Sequence, residues 1–289
     1  MSAMLERVDR MQLAVRDRAR AARTFVALLG AAPAREETSD YLNATRSILS
    51  VGESELELCE PRGPGLAQRF IERWGEGLMC AGYASSRLDA LAGHLDRLGA
   101  AYTREGEQLY IPGTTTAGFP MVVSKLVERP RVGPVSFFYE ATNTLESDWR
   151  VVAARYAELF ALDASKFSPI ASQRFGYEGT LTLFDPPARL DRIELSQTFA
   201  ERPSAMRRFV ERRGGDSLYM CYVETHDFDA LKARLVAGGA TLTPRGGDVE
   251  RERDGVWVHP KDLHGMLLGV SRTTLAWEWS GRPELVQPA

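Results

Sequence analysis

An internal repeat is the feature of this sequence that most constrains its fold. Residues 69–103 read RFIERWGEGLMCAGYASSRLDALAGHLDRLGAAYT, and residues 208–243 read RFVERRGGDSLYMCYVETHDFDALKARLVAGGATLT. Both run through an Arg-Phe-apolar-Glu-Arg sequence, a glycine, a strand pattern, an amphipathic helix, a second glycine and another strand. A repeat at a spacing of about 140 residues indicates a duplicated unit.

Each duplicated unit divides again. Residues 8–33, VDRMQLAVRDRARAARTFVALLGAAP, and residues 77–102, GLMCAGYASSRLDALAGHLDRLGAAY, share one order. An alternating apolar strand is followed by a polar break and by a helix whose apolar residues recur at three and four positions and which ends at a glycine. Short strands follow each helix, so the sequence predicts an α+β fold made of four βαβββ modules.

The segment ERPRVGP, residues 128–134, predicts a linker between the two halves because it holds two prolines and a glycine. We therefore expect an N-terminal pair of modules at residues 1–130 and a C-terminal pair with a tail at residues 131–289. A chain of 289 residues with 44% hydrophobic residues suits two domains of this size.

The distribution of charged and apolar residues limits the kinds of molecule that the protein can bind. The net charge is −3 and the two signs are interspersed, which argues against nucleic acid. The sequence has no apolar run long enough to span a membrane and no signal-peptide pattern. Three scattered cysteines do not make a disulfide framework. We expect a cytoplasmic monomer or homodimer that takes a small molecule as substrate or ligand.

Three segments resemble the vicinal oxygen chelate superfamily: RMQLAVRD before a helix, FIERWGEGL before a strand, and VHPKDLHGMLLGV near the end. That superfamily includes glyoxalase I, methylmalonyl-CoA epimerase, the fosfomycin and bleomycin resistance proteins and the extradiol dioxygenases. The resemblance covers nearly the whole chain. Module four is most similar to the epimerases, and four modules in one chain is the arrangement of the dioxygenases. It implies that paired modules form two curved, barrel-like mixed sheets, each able to hold a divalent metal in its concave face.

The resemblance also implies where the metal ligands would lie. The family takes a histidine from the first strand of a module and a carboxylate or amide from the last strand. In this sequence the histidine positions fall on other residues: Arg10, Cys80, Ser136 or Phe137, and Met220.

On the last strands the family's ligand position matches Glu57 in module one and Glu194 in module three, but Lys125 and Gly269 in modules two and four. A lone carboxylate in each half cannot hold a divalent ion against water. We therefore expect no metal at the usual position and no other cofactor.

The two glutamates lead to two candidate sites. In the first half Glu57 would act with Arg10 and Lys125. In the second half Glu194 would act as a base, with Tyr139 or Tyr219 donating a hydrogen bond to an enolate. A carboxyl in an apolar cavity has its pKa raised, unless a nearby cation offsets the effect. The predicted substrate-binding set is completed by Met220 and His264.

Two functions follow, and the sequence leaves both open. The first is an isomerase, epimerase or lyase that acts on a small carbonyl compound or acyl thioester without a metal. The second is a small-molecule binding protein, as implied by the resemblance to bleomycin resistance proteins. Size and module count also suggest an iron-dependent ring-cleaving dioxygenase, but the absent histidines argue against it.

Overall fold

The computed structural model of the protein describes residues 3–245 and 255–288. Module one comprises β1 Arg7–Ala14, α1 Arg18–Leu29, β2 Ala32–Ser39, β3 Ala44–Val51 and β4 Ser54–Pro61. A connecting helix, α2 Leu66–Trp74, leads to module two: β5 Gly77–Ser85, α3 Leu88–Arg97, β6 Thr103–Glu105, β7 Gln108–Ile111 and β8 Met121–Lys125.

The second half repeats this order. Module three comprises β9 Val135–Leu145, α4 Trp149–Phe160, β10 Ser168–Ser172, β11 Tyr177–Leu181 and β12 Arg192–Thr198. The connecting helix α5 Ala205–Arg213 leads to module four: β13 Ser217–Thr225, α6 Phe228–Ala237, β14 Leu242–Pro244, β15 Gly255–Val258 and β16 Leu268–Arg272. A short 3-10 helix, Leu275–Trp279, lies in the tail. The predicted α+β fold of four βαβββ modules is confirmed.

The strands form two curled mixed sheets of eight strands, one from each pair of modules. The first sheet has the order β2-β3-β4-β1-β5-β8-β7-β6, and the second has β10-β11-β12-β9-β13-β16-β15-β14. At the centre of each sheet the two first strands of the paired modules run antiparallel, as β1 does against β5 and β9 against β13. The last strand of each module lies parallel to the first, so both ligand-bearing strands of the predicted site are neighbours.

Local signals fix the helices that cover these sheets. Asp17 caps α1 by accepting a hydrogen bond from the amide of Arg20, and α1 ends at Gly30 in the left-handed conformation, φ 68°. The buried face of α1 consists of Ala21, Phe25, Leu28 and Leu29, spaced by three and four residues as predicted. No described helix combines the length and the apolar character needed to cross a membrane.

The two halves are in contact through one continuous apolar cluster and several polar bonds. Asp191 Oδ1 accepts a hydrogen bond of 2.6 Å from the amide of Val8. His264 lies at the same junction, where its Nδ1 is 2.8 Å from Glu76 Oε2 and its Nε2 is 3.1 Å from Thr24 Oγ1. The boundary that we predict at residue 130 falls between β8 and β9 and stays a prediction.

Candidate active site

In the N-terminal half the concave face of the sheet is occupied by a network of ion pairs. Arg10 lies opposite Glu55 across β1 and β4, and Gln12 lies opposite Glu57. Glu57 is fully buried and accepts hydrogen bonds from Arg10 Nη1 at 2.7 Å, Gln12 Nε2 at 2.8 Å and Arg46 Nη1 at 2.9 Å. Both oxygens of this carboxylate are therefore engaged by donors.

Burial alone would raise the pKa of Glu57, but the charges of Arg10 and Arg46 and the hydrogen bonds hold this pKa below its ordinary value. The expected partner Arg10 bonds to Glu57, whereas Lys125 does not: its Nζ lies 3.8 Å from Glu107 Oε2. Lys125 is exposed, but it lines a cavity of about 410 Å³ together with Arg10 and Arg46. Its role at this site stays a prediction.

The C-terminal half contains a cavity of about 800 Å³ on the concave face of its sheet. Strands β9, β12 and β13 form its floor, and the tail contributes to its wall. Its lining is mostly aromatic and apolar, with a few polar groups, and includes Thr142, Arg174, Phe175, Tyr177, Glu194, Met206, Tyr219, Met220, Tyr222, Arg245, Trp257, Glu278 and Trp279. Cavities with this composition are typical of small-molecule sites.

Glu194 is buried at the floor of this cavity. Its Oε1 accepts a hydrogen bond of 2.5 Å from Ser196 Oγ, and the carboxyl of Glu140 lies within hydrogen-bonding reach. Burial, together with the negative charge of Glu140, raises the pKa of Glu194 well above its ordinary value. The protonated form of Glu194 is thus favoured, in contrast to Glu57.

The predicted hydrogen-bond donors differ in position. Tyr219 and Met220 line the cavity. Tyr139 does not, because its ring packs beneath the guanidinium of Arg192 at 4.9 Å and its hydroxyl bonds to Ser271 Oγ at 2.8 Å. His264 also lies outside the cavity, at the junction with the N-terminal half. Tyr139 and His264 are thus not among the residues that line this cavity, and their part in substrate binding stays a prediction.

Arg245 is a cavity residue that the sequence did not reveal. Its Nη1 is 2.5 Å from Ser271 Oγ, and its guanidinium lies over the rings of Trp279 at 4.1 Å and Tyr222 at 4.9 Å. An arginine side chain stacked on aromatic rings keeps its charge. The cavity therefore combines a fixed cation with the carboxyl of Glu194.

Thr142 is a second cavity residue that we did not predict. It stands beside Glu194 across β9 and β12, and its Oγ1 is buried with no hydrogen-bond partner among the described residues. A buried hydroxyl without a partner is costly unless something else bonds to it. Thr142 is thus placed to bond to a ligand in the cavity.

The strand register corrects two of the positions derived from the family resemblance. A bulge in β1 at Asp9 has its equivalent in β9 at Tyr139, so the counterpart of Arg10 is Glu140. Assigning that position to Ser136 or Phe137 was wrong, because β9 begins earlier than β1 relative to the bulge.

The strand register also shows that Lys125 and Gly269 are not at equivalent positions. Gly82 pairs with Val122 and Tyr222 pairs with Gly269, so Gly269 corresponds to Val122 and not to Lys125. A Cβ atom at Gly269 would lie 2.0 Å from Cδ1 of the Tyr222 ring. The Tyr222 ring therefore occupies the space into which a metal ligand at position 269 would project.

These donors do not fit the divalent metal of the family. At the positions equivalent to its ligands stand Glu140, Glu194 and Met220, and Glu140 is already paired with Arg192 at 2.6 Å. Across the described parts of the chain, no three His, Cys, Asp or Glu side chains are grouped so as to hold a metal ion. That the protein uses no metal stays a prediction.

Comparison with known proteins agrees with this fold. Residues 9–117 match the sequence profile of the Glyoxalase/Bleomycin resistance protein/Dioxygenase superfamily, so this part of the chain is similar to that superfamily and the predicted resemblance is confirmed. No curated protein is significantly similar in sequence.

Among solved structures, a mutant of 4-hydroxymandelate synthase from Streptomyces coelicolor is 15% identical, with a TM-score of 0.72, and the match covers 93% of this chain and 92% of that one. A xylose isomerase-like TIM barrel/4-hydroxyphenylpyruvate dioxygenase fusion protein is 12% identical, with a TM-score of 0.64, and the match covers 94% of this chain and 49% of that one. Methylmalonyl-CoA epimerase from Mycobacterium tuberculosis is 19% identical over 44% of this chain and 92% of its own, with a TM-score of 0.40. For the first two structures the likeness, at these identities, is one of fold alone.

Proposed function

We propose that the C-terminal cavity is the active site of an isomerase, epimerase or lyase that moves a proton on a small carbonyl compound or acyl thioester. Glu194 is the acid–base group. One observation carries this proposal: Glu194 lines a cavity of about 800 Å³ and has a raised pKa, whereas the equivalent Glu57 is held by two arginines. A carboxyl whose pKa is raised is a stronger base in its ionised form, and in its protonated form it can return the proton.

In the proposed reaction the ionised form of Glu194 removes a proton from the carbon next to the substrate carbonyl. The electron pair of that C–H bond moves to form a C=C bond, and the carbonyl oxygen becomes an enolate oxygen. In an isomerase or epimerase, the C=C electron pair then forms a new C–H bond with the proton of Glu194 and the carbonyl re-forms. In a lyase, the carbonyl re-forms, a C=C bond forms to the neighbouring carbon and the bond from that carbon to the leaving group breaks. The leaving group takes this electron pair and the proton of Glu194. These steps balance without an external oxidant or reductant.

Two cavity residues would stabilise the negative charge on the enolate oxygen. Arg245 contributes a fixed positive charge held by aromatic rings. Burial raises the pKa of Tyr219 to about 12, so its hydroxyl keeps its proton and can donate a hydrogen bond. Donors that are fixed before the reaction are the usual means of stabilising such an intermediate. The residues at the family's ligand positions, Glu140, Glu194 and Met220, do not fit a divalent ion. The proposed reaction therefore uses only the side chains of the cavity and is not a ring cleavage.

The second candidate function is binding without turnover. Phe175, Trp257 and Trp279 give one side of the cavity an aromatic surface. Such a surface would suit a protein that sequesters an aromatic small molecule. A cytoplasmic location and a monomeric or homodimeric state stay predictions.

The test is solvent deuterium uptake by a panel of acyl-CoA and dicarbonyl compounds, followed by NMR. Glu194→Gln removes the acid–base group while keeping its size. Glu278→Gln is the matched control, because Glu278 lines the same cavity but is exposed. We expect uptake with the parent protein and with Glu278→Gln, and a loss of about 10² to 10⁴-fold with Glu194→Gln. Unchanged uptake in Glu194→Gln would refute the role of Glu194, and binding of a panel compound without uptake would favour the second function.

A further inference from the structure

A second cavity, of about 460 Å³, lies where the two halves meet. Its rim is formed by the connecting helices α2 and α5, which carry the repeated Arg-Phe-apolar-Glu-Arg sequence. It shares no lining residue with the cavity of Glu194. We call it the junction pocket and define it by its lining residues Tyr41, Arg69, Phe70, Arg73, Trp74, Met79, Cys80, Tyr110, Met121 and Arg213 together with their neighbours.

Three arginines, Arg69, Arg73 and Arg213, give this pocket an excess of positive charge. No aspartate or glutamate lines it, and none of the three arginines forms an ion pair with a carboxylate among the described residues. The guanidinium of Arg213, from the second half, lies over two rings of the first half, Trp74 at 4.7 Å and Phe70 at 5.1 Å.

The positive charge of Arg213 is not neutralised by its surroundings. Burial and the nearby charges of Arg212 and Arg73 lower the pKa of Arg213 to about 10. Arg73 and Arg213 each lie in the last turn of a helix, where the helix dipole favours a cation. The stabilisation by the helix dipoles is modest. An anion between the two helix ends would relieve the remaining repulsion between the guanidinium groups of Arg73 and Arg213.

The interior of the pocket is apolar and aromatic. The rings of Tyr41 and Tyr110 stack with their centroids 4.4 Å apart, and Met79 and Cys80 are buried beside them. Flat aromatic walls favour a planar ring, and arginines at the rim favour a carboxylate, sulfate or phosphate group.

We propose that the junction pocket binds an aromatic organic anion, with its ring against the Tyr41–Tyr110 pair and its charged group on Arg73 and Arg213. Both guanidinium groups lie over the ring of Trp74, at 4.5 Å and 4.7 Å. Such a ligand would bridge both halves of the chain, because Arg73 belongs to the first half and Arg213 to the second. This site is independent of the chemistry proposed for Glu194.

The experiment uses phenyl phosphate as the probe and phenol as its neutral counterpart. Methyl labelling gives one NMR signal for each methionine. Met79 and Met121 line the junction pocket, and Met206 and Met220 line the other cavity. We expect phenyl phosphate to shift the Met79 signal saturably and phenol to do so at least about tenfold more weakly. The same titration reports separately whether the probe enters the other cavity.

Two variants test the arginines. Arg213→Gln removes the half-buried cation, and Arg73→Glu reverses an exposed charge, so it decides the question alone if Arg213→Gln fails to fold. Arg150→Gln is the matched control, because Arg150 also stacks on a tryptophan, Trp149 at 4.4 Å, but lies outside the pocket. Both test variants should weaken phenyl phosphate binding by about tenfold or more, and the control should not. An unmoved Met79 signal, an equal response to phenol, or unchanged affinity in Arg73→Glu would overturn the proposal.

Discussion

Glu140 and Arg192 form a buried ion pair, 2.6 Å between Oε2 and Nε, at the register position that Arg10 and Glu55 occupy in the other half. The duplicated sheets thus carry the same pair of charges in exchanged order. This exchange determines the protonation state of the glutamate that lies two residues further along β4 and β12. Glu57 has the cation of Arg10 beside it, whereas Glu194 has the anion of Glu140. One position of the duplicated fold therefore supplies an engaged carboxylate in one half and a proton-holding carboxyl in the other.

The first prediction concerns Glu57 as a structural residue. Glu57→Gln should lower the free energy of unfolding by about 3 kcal/mol or more, because it leaves the buried charges of Arg10 and Arg46 without their main counter-charge. Urea denaturation followed by circular dichroism measures the change. Glu107→Gln is the control: Glu107 pairs with Lys125 on the surface, and its loss should cost less than about 0.5 kcal/mol. Equal effects of the two substitutions would show that the network does not stabilise the fold.

The second prediction concerns the pH dependence of stability. The pKa of Glu194 is raised in the folded state, so its contribution is fully present below the unfolded pKa and is lost as the pH rises through the folded pKa. The amide that replaces this carboxyl in Glu194→Gln stays neutral throughout. The Tm of Glu194→Gln, relative to the parent protein, should therefore rise as the pH increases above the ordinary glutamate pKa and should level off above the raised pKa of Glu194.

Another group titrates in this range and has to be separated from Glu194. Burial raises the pKa of Glu224 to about 7. Because Glu224 is present in both proteins, its effect cancels in the difference between their melting temperatures. A difference that does not change with pH would mean that Glu194 titrates normally.

The third prediction concerns two glycines with opposite surroundings. Gly269→Ala should destabilise the protein by about 1–3 kcal/mol, because the new Cβ would meet the Tyr222 ring at 2.0 Å. Gly93→Ala should stabilise it by about 0.5–1 kcal/mol, because Gly93 lies inside α3 and its Cβ would be 3.7 Å from the nearest atom, Arg97 Nη1. Thermal denaturation of both variants and of the parent protein measures the change in Tm. Stabilisation by both substitutions would show that Tyr222 is free to move.

The module order and the helix ends could be predicted because their signals are local. The spacing of apolar residues in α1 and the glycine at position 30 are visible within a few residues of sequence. The strand register could not be predicted in the same way, because the bulges at Asp9 and Tyr139 shift the pairing without any mark in the sequence. This shift is why the counterpart of Arg10 proved to be Glu140.

The arginines of the two candidate sites were harder to predict, although one of them left a signal. Arg46 alternates with Ala44 and Ile48 in β3, and this period of two places its side chain on their buried face. Arg245 had no such signal, since it follows the short strand β14 and reaches the cavity through aromatic stacking. Long-range contacts of this kind depend on how the tail and β15 pack, which the sequence pattern does not specify.

The most direct test is a side-chain carboxyl NMR titration of the glutamates, with the signals assigned through Glu194→Gln and Glu57→Gln. We expect Glu194 to keep its proton well above the ordinary glutamate pKa, whereas Glu57 stays ionised below it. A Glu194 signal that titrates at the ordinary value, or a Glu57 signal with the higher pKa of the two, would contradict the assignment of the C-terminal cavity as the active site.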